Sequence, residues 1–234
     1  MQLKSWHFLL FSFICILLSE IIINPSKRSK KSFIYNYLLG ICLFTVVILA
    51  SYLLNPLINW TQENHWGLWS NLALPKSIQL ILEVLTLDLS IYFWHRINHK
   101  FNFLFKLHSL HHSDLMLDHS SFFRFHPLEI ILSYFIRILV ILIFGLSPEA
   151  LALFSVIFLP IVVFQHSSII LPARAEKILS KIIVSPRIHH LHHSAEEKDL
   201  NKNFASIFSF WDQIFGTFNN RKGPIKYGIT EHQN

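Results

Sequence analysis

Five apolar runs of about 17 to 22 residues divide this chain, at 6–23, 33–54, 77–94, 128–144 and 149–165. Runs of this length constrain the fold more than anything else in the sequence. Inside hydrocarbon every backbone N–H and C=O must find its partner within the protein, so a run of about 20 apolar residues becomes a helix. Composition agrees, with 52% hydrophobic residues and only 15% charged, where soluble domains carry about 25% charged. The net charge of +6 then marks loops that face an anionic leaflet, and nucleic acid is not expected as a partner. The fold class expected is an all-α membrane protein with four to five transmembrane or deeply inserted helices.

The runs differ in detail. Lys27, Arg28, Lys30 and Lys31 follow the first run instead of preceding it, which argues for an uncleaved span and against a signal peptide. Cys15 and Cys42 lie inside apolar runs with no CxxC and read as packing residues. Residues 55–76 read as a polar loop with Trp60, Trp66 and Trp69 as an interfacial belt. The third run carries Glu83 and Asp88, and intramembrane carboxylates face a protein interior or a site. Asp88, Tyr92 and His95 are spaced to share one helical face. Gly145-Leu146-Ser147-Pro148 turns the last two runs into a hairpin whose ends return to one face. The 95–127 and 166–234 segments hold most of the Lys and Arg residues, which places them in the cytoplasm.

Twelve of the 15 histidines lie between His95 and His193. Most form three clusters: His95 and His99; His108, His111 and His112; His189, His190, His192 and His193. Residues three and four apart share a helix face, so each cluster can aim its imidazoles at one spot. Neutral imidazole is the commonest side-chain ligand for Zn, Cu, Fe and Ni. Eight imidazoles, with His190 set aside, exceed what one ion takes and suit two metals. Threaded in order, the apolar runs bring all three clusters to the same membrane face.

The ordered set Asp88, Tyr92, His95-Arg96-x-x-His99, His108-x-x-His111-His112-Ser113-Asp114, Arg124-Phe125-His126-Pro127-Leu128-Glu129, Gln165-His166-Ser167, Pro186-Arg187-x-His189-x-x-His192-His193, Asn203-Phe204, Trp211-Asp212 and Phe215-Gly216-Thr217-Phe218 resembles the fatty acid hydroxylase or sterol desaturase superfamily of integral-membrane di-iron oxygenases. The resemblance covers the chain from Asp88 to Phe218. It implies two iron ions, with zinc able to replace them during expression, and O2 as oxidant. It adds His126 and His166 to the eight cluster histidines as metal ligands. It implies roles at the active site for Asp88, Tyr92 and Asp212, with Asp88, Asp114 or Asp212 orienting ligand imidazoles. Asn201 and Ala205 depart from the family pattern, and Asp199 is the candidate to supply the missing carboxylate. Arg96, Arg124 and Arg187 are candidates for binding a substrate head group or an acidic partner.

The function these features imply is a monooxygenase of lipid biosynthesis that hydroxylates or desaturates a sterol, fatty acyl or related lipid. No flavin, haem or iron–sulfur motif stands in the chain, so electrons are expected from a separate reductase or small carrier. The expected location is a bacterial inner membrane with the site on the cytoplasmic face. Residues 1–76 are expected to form a transmembrane hairpin and external loop, and 77–234 the catalytic domain. The alternative is a histidine-rich divalent-metal transporter, which would need ionisable residues along a path through several spans.

Overall fold

The computed structural model describes residues 29–229. Among them the regular elements are helical: α1 (Lys30–Glu63), α2 (Lys76–Lys100), α3 (Asn102–His112), α4 (Pro127–Phe144), α5 (Pro148–His166), α6 (Ala173–Leu179), α7 (Pro186–His192) and α8 (Phe210–Ile214). Three short 3-10 turns, Trp69–Asn71, His119–Phe123 and Glu197–Asp199, punctuate the loops. Four helices, α1, α2, α4 and α5, are long and apolar enough to cross a membrane. The chain is therefore an integral membrane protein with its smaller helices gathered beyond one end of the spans. The apolar run at 6–23 lies outside the described residues.

Local sequence sets the boundaries. Ser29, Ser147 and Ser185 cap α1, α5 and α7 by accepting backbone N–H groups, and Pro148 and Pro186 take the first helical turn, where a missing N–H costs nothing. α4 ends at Gly145 in the left-handed region, φ 67°. A Cβ there would lie 2.0 Å from the Trp66 carbonyl oxygen, so glycine alone fits. One expectation needs correcting: α1 does not stop near Leu54 but continues through Pro56 to Glu63. A proline removes one helical hydrogen bond, which a membrane helix tolerates when its neighbours support it. The loop from α1 to α2 is correspondingly short, 64–75.

Apolar burial does not by itself drive helices together in lipid, because the tails are as apolar as the side chains. Close packing and polar links do. Leu54 and Ile58 of α1, Val84 and Leu87 of α2, Ile141 of α4 and Phe154 of α5 form one buried cluster. At the loop end, Glu83 accepts hydrogen bonds from the Ser147 N–H (3.1 Å) and the Ser147 hydroxyl. Gln62 donates to the Gly145 and Leu146 carbonyls at 3.2 Å each, and Trp66 Nε1 donates to Leu142 O at 2.7 Å. At the opposite end, Asn36 of α1 donates to Ser120 at 2.9 Å and accepts from Arg124 at 3.2 Å. Gly40 lets α1 approach the His119–Phe123 turn, since a Cβ would lie 2.9 Å from the Phe123 ring. The outward faces of α1 and α4, with Leu38, Ile41, Leu53, Phe135 and Ile143 exposed, present apolar surface to the bilayer.

Candidate metal centre

Nine histidines meet where α2 and α5 leave the bilayer. They come from the C-terminal parts of α2 and α3, the last turn of α5, and α7 with its C-cap His193. They form two groups, His95, His99, His108, His112 and His192 in the first, and His111, His166, His189 and His193 in the second. In each group one ring nitrogen per residue lies within 4.8 Å of all the others, a spacing able to hold a metal ion.

The two HxxHH segments do not each serve one spot, as the shared-face argument expects. Each is split. His108 and His112, four apart, enter the first group, while His111 enters the second. His189 and His193 enter the second group, while His192 enters the first. A residue advances about 100° around a helix, so positions i and i+4 lie about 40° apart while i+3 falls about 60° to the other side. The groups abut: the His112 and His193 rings stack at 4.4 Å and 22°.

Acceptors behind the rings fix their tautomers. His95 Nδ1 donates to Phe204 O at 2.9 Å, His192 Nδ1 to Lys202 O at 2.8 Å, and His166 Nδ1 to Val162 O at 2.7 Å. His108 Nδ1 donates to the Glu129 carboxylate at 2.7 Å. With the proton on Nδ1, each Nε2 is a bare lone pair. Yet His95 Nε2 and His108 Nε2 stand 3.1 Å apart. Two neutral imidazoles in these tautomers repel there; a cation among the nitrogens removes the conflict. In the second group His166 Nε2 lies 3.2 Å from His111 Nε2 and 3.0 Å from His189 Nε2. Protonation is a poor alternative to metal. Burial, then the neighbouring imidazoles, hold His111, His112, His189 and His193 well below the usual imidazole range. Burial also takes His192 down to about 3, against the hydrogen bond to Lys202. Buried ring nitrogens without a hydrogen-bond partner, His99 Nε2 and His192 Nε2 among them, fit the same donor role.

The fatty acid hydroxylase family model matches residues 80–217, more than half of the chain. The chain belongs to the fatty acid hydroxylase family. Its curated relatives include an ornithine lipid hydroxylase of Rhizobium tropici, 26% identical over 158 residues, covering 67% of this chain and 47% of the relative. The human alkylglycerol monooxygenase is 29% identical over 147 residues, covering 62% of this chain and 32% of the relative. The mouse cholesterol 25-hydroxylase is 28% identical over 162 residues, covering 64% and 51%. The chain thus spans about half or less of the length of these relatives. No solved structure matches it.

Within the fatty acid hydroxylase region, other expected site residues fall away from the metal-holding atoms. His126 joins neither group: it caps α4, and its Nδ1 accepts the Leu128 N–H at 3.2 Å. Asp88, Tyr92 and Asp212 orient no imidazole directly. Asp88 accepts from the Ile207 and Phe208 N–H groups at 3.1 Å each and from Trp211 Nε1 at 2.9 Å. Asp212 accepts from the Phe204 N–H at 2.8 Å, the Ala205 N–H at 3.1 Å and the Thr217 hydroxyl at 2.7 Å. Burial raises its pKa, and those three bonds lower it in part. The Tyr92 hydroxyl lies 2.9 Å from Thr217 Oγ1. Asp88 and Asp212 hold the backbone of the 203–217 loop and Tyr92 meets its Thr217 side chain, and that loop supplies the Phe204 carbonyl to His95.

Asp114 accepts from the Ser121 hydroxyl at 2.8 Å, not from a histidine. Arg124 donates to Leu110 O, Ser113 Oγ and Asn36 Oδ1, so it braces the end of α3. Arg187 donates to the carbonyls of Arg221 and Gly223. Asp199 accepts from Arg221 and Asn219 and anchors the segment leading to Lys202 O. Glu129, quoted in the sequence only as part of a motif and given no role there, is the carboxylate behind His108. The available signal was a carboxylate in the first turn of an apolar helix.

Proposed function

We propose that this chain is a membrane-embedded, iron-dependent oxygenase that hydroxylates or desaturates a lipid. The observation that carries it is the pair of adjacent, buried, all-imidazole groups at the mouth of an apolar bundle. Ornithine lipid, alkylglycerol and cholesterol, the substrates named for its relatives, all carry long or bulky apolar parts, so the substrate class proposed is an amphipathic lipid.

His95, His99, His108, His112 and His192 would hold one iron, and His111, His166, His189 and His193 the other. Iron held in these groups would supply the O2-dependent oxidation of an unactivated C–H bond, for which side chains alone have no oxidant. Zinc accepts the same imidazoles but has no redox chemistry. The protein's own contributions are separate from that step. Glu129 and the carbonyls of Phe204, Lys202 and Val162 keep protons on Nδ1 and lone pairs on Nε2. The buried surroundings exclude water. Apolar faces of the spans admit the lipid tail from the bilayer. Asp88, Tyr92 and Asp212 act as positioning residues through the 203–217 loop.

Electrons come from a separate reductase or small carrier. The active site faces the cytoplasm, an orientation supported by the Lys and Arg of the 95–127 and 166–234 segments, and the membrane is a bacterial inner membrane. All nine ligands fall inside the proposed catalytic unit, 77–234. For a metal transporter, Glu83 and Asp88 would have to face a path through the spans, but Glu83 is committed to Ser147 and Asp88 to the Ile207 and Phe208 N–H groups and the Trp211 indole.

The test compares lipids of cells with and without the expressed chain, under air and without O2, alongside metal analysis of the purified protein. New oxidised or desaturated lipids that need O2, with about two irons per chain, are expected. Unchanged lipids and metal content near zero in folded protein would overturn the proposal. A cysteine at Leu72 should react with an impermeant reagent from outside and one at Lys198 should not.

A further inference from the structure

The chain leaves the bilayer at His166 and a few residues later forms α6. Arg174, Lys177 and Lys181 are exposed on α6 and the turn after it, and Ile178 and Ile182, each 56% exposed, stand between them. These five residues line one shallow depression of about 470 Å³. Their spacing follows the helical repeat, and the Ile182 and Ile183 N–H groups, both bonded to Leu179 O, carry the helical sense into the turn. Ile170, just before α6, is 83% exposed. Among the described residues, none of the three cations forms an ion pair; the nearby Glu176 instead accepts the Ser185 hydroxyl at 2.5 Å.

This surface is tied to the rim where α2 emerges. Gln213 of α8 donates to Lys181 O at 2.9 Å. Two residues further, Phe215 meets the exposed Phe93 of α2, ring centroids 5.1 Å apart. A short amphipathic edge, cationic and isoleucine-bearing, linked to the end of a span is chemistry for an anionic lipid surface. Long cationic side chains reach phosphate while the isoleucines enter the acyl boundary.

We infer that Arg174, Lys177, Lys181, Ile178 and Ile182 form a docking surface for anionic phospholipid headgroups of the bilayer that holds the spans. An acidic protein matches the three cations but leaves the isoleucines without an apolar counterpart. Docking here bears on the metal centre through one bond: Glu176 of α6 holds Ser185, the cap of α7, which carries His189 and His192.

The test uses the full chain in nanodiscs of phosphatidylcholine, alone or with about 30 mol% phosphatidylglycerol. An Ile178→Cys variant, with Cys15→Ser and Cys42→Ser, carries an environment-sensitive fluorophore. In anionic discs the label should shift to the blue and be quenched by brominated lipid. Raised salt should reverse this without any substitution. Combined Arg174→Glu, Lys177→Glu and Lys181→Glu changes should lower the ratio of docked to undocked label by roughly a hundredfold, three cations each contributing at the surface. A label equally wet in both lipid compositions would overturn the inference. So would protection that appears only when an acidic carrier protein is added.

Discussion

Replacing Glu129 tests the centre most directly. Its carboxylate is buried, accepts His108 Nδ1 at 2.7 Å, and has one further, longer contact from Asn98 Nδ2 at 3.4 Å. A hydrogen bond to a charged group contributes about 1.5–3 kcal/mol net, and removing the acceptor strands a buried donor. At about 1.4 kcal/mol per tenfold, this corresponds to a roughly 10- to 100-fold loss of metal affinity in the first group. Glu129→Gln keeps an acceptor oxygen but not the charge and should fall at the lower end. Glu129→Ala frees His108 to place its proton on Nε2 and should fall at the upper end. The assay is metal retained per chain after dialysis against graded chelator. Content should drop from about two towards one, because the second group has its own anchors. If Glu129→Ala held both metals with wild-type resistance to chelator, the tautomer argument would fail.

Four further outcomes follow from the geometry. His166→Ala should empty the second group and abolish turnover while the protein still inserts; His126→Ala should keep both metals and lose only a helix cap, about 1 kcal/mol in thermal unfolding. Gly40→Val should destabilise by about 1–3 kcal/mol through overpacking against Phe123, and an unchanged melting temperature would show that α1 does not approach the turn so closely. Burial alone would raise the Asp199 pKa, but hydrogen bonds from Arg221, Ser194 and Asn219 outweigh it and hold it below the usual aspartate range. A depressed folded-state pKa gives stability that is complete above the unfolded value and disappears as pH falls through the folded one; Asp199→Asn should therefore lose most at neutral pH and least in acid, read from denaturant midpoints between pH 7 and 3.

Much of this was legible in the residues. The apolar runs located the four described spans, because hydrocarbon permits so few backbone arrangements. Gly145 and Pro148 announced the hairpin through their own dihedral limits. The nine histidines were all named, yet their division between two groups was not. Whether His111 sides with His108 or with His189 depends on where α7 and α5 lie against α3, which no local spacing encodes. The acceptors behind His95, His166 and His192 are backbone carbonyls, so the identities of Phe204, Val162 and Lys202 carry no signal. Asp88 and Asp212 were expected beside the imidazoles; they bind backbone N–H groups of the loop that in turn meets one. His126 was drawn in by its place in the motif, although a histidine just before a proline-led helix also has the position of a cap.

The interleaving of the two HxxHH segments makes each helix a ruler. His111 and His112 are rigidly separated by one residue's rotation, and His192 and His193 by another. Turning α3 or α7 to bring one group closer together pulls the other apart. The distance between the two centres is therefore written in helical pitch, with no need for a bridging side chain to set it. A one-residue insertion inside either segment would rotate its later histidines by about 100°, swinging His111 or His192 toward the other centre and His112 or His193 away from both.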